Sequence, residues 1–145
     1  MKIFITGVAG FLGSHLADLM LAAGHIVAGN DNMIGGYTDN IPQGVEFHQV
    51  DCCDLENLTN AMKGCDIVYH CAATAYEGLS VFSPVLVTRN IFEASVSAVT
   101  AAIKNSVKRF VYCSSMARYG TNQTPFQETY QPLPQDPYGI AKEAG

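Results

Sequence analysis

No lysine or arginine run interrupts this sequence, and 13 acidic against 8 basic residues leave it with a net charge of −5. The basic footprint of a nucleic-acid binder is missing, which removes nucleic acid from the expected partners. Charge of either sign is scarce: 14% of the 145 residues are charged and 48% are apolar. That balance excludes a disordered tail and suits one compact, well-filled core. No apolar stretch approaches the roughly 18 residues of a membrane-crossing helix. The opening Met1-Lys2-Ile3-Phe4-Ile5 starts as a signal peptide does, but Thr6, Gly7, Gly10 and Gly13 break the apolar run. Ser14, His15 and Asp18 follow, and no small-residue cleavage site is evident. A cytoplasmic, membrane-free protein is the expectation.

A CxxC pair is absent as well. Cys52, Cys53, Cys65, Cys71 and Cys113 are an odd set without metal-ligand spacing, three of them in or beside apolar runs. No metal is expected, and these residues read as buried thiols of a reducing compartment. Internal repeats, low-complexity tracts and linkers are also lacking, so the chain reads as a single domain.

What is present is alternation. Short apolar, β-rich runs at residues 3–6, 25–28, 45–50, 67–70 and 110–113 are separated by helical patterns. This is the signature of βαβ units and a parallel sheet covered on both faces. Leu12, Leu16, Leu19, Met20 and Ala23 recur at helical spacing, and Gly24 stands where a left-handed cap is wanted. A short helix follows Asp54 as N-cap, with Leu55, Leu58, Ala61 and Met62 inward. A longer helix is predicted from Ser83-Pro84 to about Asn105, its Ala94, Ala98, Ala101 and Ala102 favouring close packing. Residues 114–135 read as a loop, and a last helix starts at Asp136-Pro137.

Gly7, Gly10 and Gly13 fall between the first strand and the first helix. There they permit a tight turn, backbone approach to a pyrophosphate and close helix packing, and the helix N-terminus, through the amides of Phe11 and Leu12, favours the anion. The spacing alone is cheap, and its position gives it meaning. Asp31 lies 18 residues past Gly13, beyond the second strand, where a carboxylate accepts hydrogen bonds from the adenosine ribose hydroxyls and repels a 2′-phosphate. NAD is therefore favoured over NADP. Asp51 after the third strand is placed to reach adenine, and Ala72-Ala73 after the fourth let backbone lie against the cofactor.

Tyr138 and Lys142 are four apart at the start of the last helix and so share a face. A phenol with an ordinary pKa near 10 is a poor base at neutral pH. A cation about 4 Å away is worth on the order of 4 kcal/mol at an effective dielectric of 20, roughly three pKa units. Lys142 is thus the expected partner of Tyr138, and Ser115, ending the fifth strand, the expected hydrogen-bonding partner of a substrate hydroxyl.

In this order along the chain, Gly7-Val8-Ala9-Gly10-Phe11-Leu12-Gly13, Asp31-Asn32, Asp51, His70-Cys71-Ala72-Ala73, Asn90, Ser114-Ser115-Met116-Ala117-Arg118-Tyr119-Gly120 and Pro137-Tyr138-Gly139-Ile140-Ala141-Lys142 resemble the extended short-chain dehydrogenase family, most of all its nucleotide-sugar epimerases. The resemblance implies a Rossmann-type, doubly wound α/β domain binding NAD over residues 1–145. It places Phe11 and Leu12 at the pyrophosphate, Asp31 and Asn32 at the adenosine ribose, and Asp51 and Cys52 at adenine. Cys71, Ala72, Ala73, Ala75 and Asn90 fall near the cofactor's inner half. By the same resemblance Ser115, Tyr138 and Lys142 are catalytic, Lys142 also bonding the nicotinamide ribose, and the reaction is the reversible epimerisation of a nucleotide sugar, a UDP-sugar, over a tightly held NAD.

Relatives that dehydrate or decarboxylate carry an acidic residue or an Asp-Glu pair just after the catalytic hydroxyl. Met116 and Ala117 stand there instead, which favours epimerisation. Ala75 replaces a lysine found in some epimerases and leaves the sugar open. The family also implies a homodimer paired through helices of this half, and roughly another domain's length carrying the substrate lobe. The chain is therefore expected to lack that lobe and to be inactive alone. A reductase or dehydratase of the same family, and a non-enzymatic NAD-binding module, stay open as alternatives.

Overall fold

The computed structural model describes Met1–Gly145. Five strands, β1 (Lys2–Thr6), β2 (Ile26–Asp31), β3 (Glu46–Gln49), β4 (Ile67–His70) and β5 (Arg109–Tyr112), form one parallel sheet in the order β3-β2-β1-β4-β5. Phe4 lies opposite both Ala28 and Val68, and Ile3 opposite Val27. Strand alternation therefore sends Phe4, Ala28 and Val68 to one face and Ile3, Ile5 and Val27 to the other. All six are buried.

Helix α1 (Phe11–Ala22) packs Ala17 on the Ile3, Ile5 and Val27 face. Gly24, at φ +79°, follows it as the expected left-handed cap. The opposite face is covered by α2 (Leu55–Ala61), capped by the Asp54 carboxylate on the Asn57 amide, and by α5 (Ala94–Lys104). Leu58, Met62 and the four alanines Ala94, Ala98, Ala101 and Ala102 join Phe4, Ala28 and Val68 in one core, as the spacing predicted.

The structure departs from the sequence reading in three places. β2 continues to Asp31 rather than ending at Ala28, because Gly29 and Asn30 are paired on both sides, to β1 and to β3, and Asp31 is paired to β3. Pairing overrides the poor strand propensity of those residues. The long helix is not uniform: α4 (Pro84–Thr88) passes through a π-helical turn at Arg89–Glu93 before α5, and a further helix, α3 (Glu77–Phe82), precedes it. The loop after β5 contains a 3₁₀ turn, Met116–Tyr119, before α6 (Pro137–Ala144) begins at its predicted cap, Asp136. No helix is long and apolar enough to cross a membrane.

The sheet grows from β1 to β2 and β3 on one side and returns to β4 and β5 on the other. That reversal opens a crevice at the carboxyl ends of β1 and β4, the place where open α/β sheets bind ligands.

Candidate functional site

A cavity of about 500 Å³ occupies this crevice. At its centre the glycine turn leaves β1. Gly7 has φ +70°, and a Cβ there would lie 2.8 Å from the Ala72 Cα, while one on Gly13 would lie 2.2 Å from the Gly7 carbonyl oxygen. Glycine is thus required where the turn abuts the segment after β4 and where α1 abuts the turn. Helix α1 opens on Gly10 with no side-chain cap and no acidic residue in its first turn. Its first amides have no intrahelical acceptor, and their dipole is uncancelled. Phe11 and Leu12, which carry them, line the cavity with Gly7, Gly10 and Gly13.

At the β2 end the buried Asp31 carboxylate accepts hydrogen bonds from the Ala9 amide (3.2 Å) and the Met33 amide (2.8 Å). Asn32 donates to Asp51 (3.1 Å), which also accepts from the Cys53 amide (2.8 Å) and from Arg89 (3.3 Å). Burial works to raise the Asp51 carboxyl, but the Cys53 amide, Asn32 and Arg89 outweigh it and hold it below the ordinary carboxylate range. Asp31, Asn32, Asp51 and Cys52 all line this end.

At the β4 end the walls are Cys71, Ala72, Ala73, Ala75 and Asn90. Asn90 is set inward by the π-helical turn and donates to Thr74 Oγ1 (2.9 Å). Helix α6 closes this side with Tyr138 and Lys142, one turn apart and only 6% and 4% exposed. Tyr138 packs among Val87, Ile91 and Ala141. The Lys142 ammonium donates to the Cys113 carbonyl (2.7 Å) and lies 5.1 Å from the Tyr112 ring centroid. Burial draws it below the ordinary lysine range, against the opposing pull of the Cys113 and Cys71 sulfurs.

The structure thus brings together in one cavity every residue expected to hold the cofactor, and both Tyr138 and Lys142. Ser115 is placed differently. It caps the 3₁₀ turn, its Oγ accepting from the Ala117 amide at 3.2 Å, and its neighbour Ser114 lines the cavity instead.

Sequence reasoning missed Asn30, Tyr76, Cys113 and the segment at residues 34–36. The available signal for the last was Gly35-Gly36: a Cβ on Gly36 would lie 3.0 Å from the Asp31 carboxyl carbon, and Tyr37 and Asn40 then bond the Ala9 carbonyl at 3.1 and 3.0 Å. The expectation of uniformly buried cysteines also fails. Cys52 and Cys65 are buried, and burial pushes both thiols up to about 11, but Cys53, Cys71 and Cys113 are half-buried.

An open parallel sheet with a glycine turn, an uncapped helix start and an acid after the second strand defines a dinucleotide-binding α/β protein. Residues 3–145 match the NAD dependent epimerase/dehydratase family, and the chain belongs to it. It is 31% identical, over 99% of its length, to the UDP-glucose 4-epimerase of Lacticaseibacillus casei, of which it covers 44%. Among solved structures it resembles the UDP-glucose 4-epimerase of Thermotoga maritima with UDP-glucose (33% identity, TM-score 0.95), covering 99% of this chain and 48% of that one. It equally resembles the Thermus thermophilus UDP-glucose 4-epimerase in complex with NAD (35% identity, TM-score 0.94), again covering 99% of this chain and 48% of that one. The chain therefore spans a little under half the length of these relatives.

Proposed function

We propose that this chain is the NAD-binding part of a nucleotide-sugar epimerase of the UDP-glucose 4-epimerase kind, with Ser115, Tyr138 and Lys142 as its catalytic set. The observation that carries the reading is a single cavity containing both the anion-ready start of α1 and the buried Tyr138–Lys142 face of α6. The residues fit a dinucleotide: free helix amides for the pyrophosphate, a fixed carboxylate at Asp31 for ribose hydroxyls, and glycines where a Cβ would collide.

Bound NAD supplies the oxidising and then reducing equivalent of a reversible epimerisation. The chain's own residues manage the proton. Tyr138 takes it from a sugar hydroxyl and later returns it, and the Lys142 cation stabilises the phenolate in surroundings made apolar by Val87, Ile91 and Ala141. Ser115, next in sequence to the cavity-lining Ser114, keeps its own Oγ hydrogen free to donate to the same sugar oxygen once substrate is bound, its lone pair being held by the Ala117 amide. The cavity's carboxylates, Asp31 and Asp51, are both at the end away from Tyr138, and Met116 and Ala117 supply none. This favours epimerisation over dehydration, which needs a further proton-transfer group. The sugar lobe belongs to the length that the relatives have beyond the matched part. The expected further partner is a second copy of the chain.

Two measurements test this. NAD at 100 times its dissociation constant stabilises a protein by about 2.7 kcal/mol, so titration should raise the melting temperature, and no rise at millimolar NAD overturns the cofactor assignment. In the protein acting on UDP-glucose and UDP-galactose without added NAD, Tyr138→Phe should lower kcat by about 10²–10⁴-fold while NAD affinity holds. An unaffected kcat overturns the catalytic assignment.

A further inference from the structure

Cys71 and Cys113 are the two cysteines in the cavity wall beside Lys142, and the cofactor reading leaves their sulfurs without a task. They follow the paired ends of β4 and β5, where His70 faces Tyr112, and the Cys113 amide continues the ladder onto the His70 carbonyl at 3.3 Å. The two residues are therefore neighbours across adjacent parallel strands, at a spacing of about 4.8 Å. That lies within the Cα separation a disulfide accepts. Their sulfurs already stand 3.7 Å apart, both as free thiols and both half-buried rather than sealed in the core. We propose that Cys71 and Cys113 are a peroxide-responsive dithiol, with Cys113 as the attacking sulfur and Cys71 as the resolving one, which closes to an intramolecular disulfide in the cavity wall.

The asymmetry between the two sulfurs follows from their surroundings. With the shared proton on Cys71, its thiol donates to the Cys113 sulfur and the Lys142 charge adds to this, so that Cys113 ionises well below the ordinary thiol range although burial opposes it. Cys71, holding the shared proton and buried, is pushed up. At Cys53 burial outweighs the nearby Arg89 charge and pushes the thiol up to about 12. A thiolate is the reactive form, so a hydroperoxide selects Cys113 among the five cysteines.

The steps balance. The Cys113 thiolate attacks one peroxide oxygen, an S–O bond forms, the O–O bond breaks, and the leaving hydroxide takes up the proton Cys113 had released, giving water. The Cys71 sulfur then attacks the sulfenic sulfur, the S–S bond forms, the S–O bond breaks, and hydroxide leaves with the Cys71 proton as a second water. The two thiols lose two electrons and hydrogen peroxide gains them.

Hydrogen peroxide titration of the protein, with thiol counting and a non-reducing peptide map, tests the proposal. The expected result is loss of two of the five thiols, a Cys71–Cys113 link, and full return with dithiothreitol. Cys113→Ser should slow peroxide reaction by about tenfold or more, and Cys71→Ser should stop at a Cys113 sulfenic acid that dimedone traps. A link between other cysteines, an unchanged rate in Cys113→Ser, or no dimedone adduct in Cys71→Ser overturns it. Repeating the oxidation in saturating NAD separates this inference from the cofactor reading: the disulfide depends on the two sulfurs alone, while its slowing by NAD depends on NAD filling the cavity.

Discussion

His70, at the end of β4, is 1% exposed and ties three elements together by one chain of hydrogen bonds. The Ser95 hydroxyl donates to the Ile91 carbonyl (2.6 Å) and so accepts from His70 Nε2 (3.1 Å). Nδ1 accepts from the Thr6 hydroxyl (2.8 Å), whose oxygen accepts the Ala72 amide (3.1 Å) at the cavity wall. These roles close only for a neutral imidazole protonated on Nε2. Burial, aided by the Lys142 charge, depresses its pKa from 6.5 to about 3. Between those two values the unfolded chain binds a proton that the folded chain refuses. Stability is unaffected by this group above about pH 6.5 and falls as pH drops toward 3, by at most about 1.4 kcal/mol per pH unit. Urea unfolding across that window should show the fall, and His70→Asn should flatten it by close to one proton; an unchanged slope would show that another group is responsible. Single residues also mark what the sequence made legible. The placement of Asp31 and the glycines in the crevice was, because it follows from position beside a strand end. The cavity-lining position of Ser114 was not, because which of the two serines lines the wall depends on which hydroxyl caps the turn after β5.

Elements were legible where inward spacing and caps agreed, as in α2 and α6, and illegible where one residue is inserted. In α1 the spacing foretold the helix but not its buried face, which is Gly13, Ser14 and Ala17 while Leu12 and Leu19 are exposed. Nothing in the periodicity from Pro84 onward signals the π-helical turn at Arg89–Glu93, yet that turn is what sets Asn90 toward Thr74 while Arg89 reaches Asp51. Such insertions are common at functional sites. Helix α6 shows the opposite case, in which the cap foretold the site. Asp136 Oδ1 accepts from the Gly139 amide at 2.8 Å and from the Ser80 hydroxyl at 3.4 Å, fixing the first turn, which carries Tyr138, against α3. Asp136 is thus a positioning residue. Asp136→Ala should cost about 1 kcal/mol of stability, and by freeing that turn lower kcat several-fold with little change in NAD affinity. Asp136→Asn retains a capping oxygen and should restore both. Equal losses in the two variants, or a loss confined to NAD affinity, would show that the carboxylate acts otherwise.

At the scale of the molecule, the small-residue face of α5 turns inward and leaves a second face outside. Phe92, Val96, Val99 and Ile103 are 39%, 51%, 40% and 73% exposed, and they follow one another at intervals of four, three and four residues along one helical stripe. Glu93 and Lys104 stand at opposite ends of it. An antiparallel two-fold therefore lays the stripe on itself and sets Glu93 of each copy opposite Lys104 of the other, which is the self-complementarity an isologous dimer requires. The sheet offers a different route to association through β5, which is paired on one side only. Substitution separates them. Val96→Glu with Ile103→Lys, both at exposed positions, should leave the melting temperature of the dissociated chain within about 1 kcal/mol of stability while converting a concentration-dependent dimer to a monomer in sedimentation velocity. A dimer that survives the double change pairs elsewhere, with the β5 edge next to be tested, and a wild-type chain that stays monomeric at hundreds of micromolar removes the stripe as an interface.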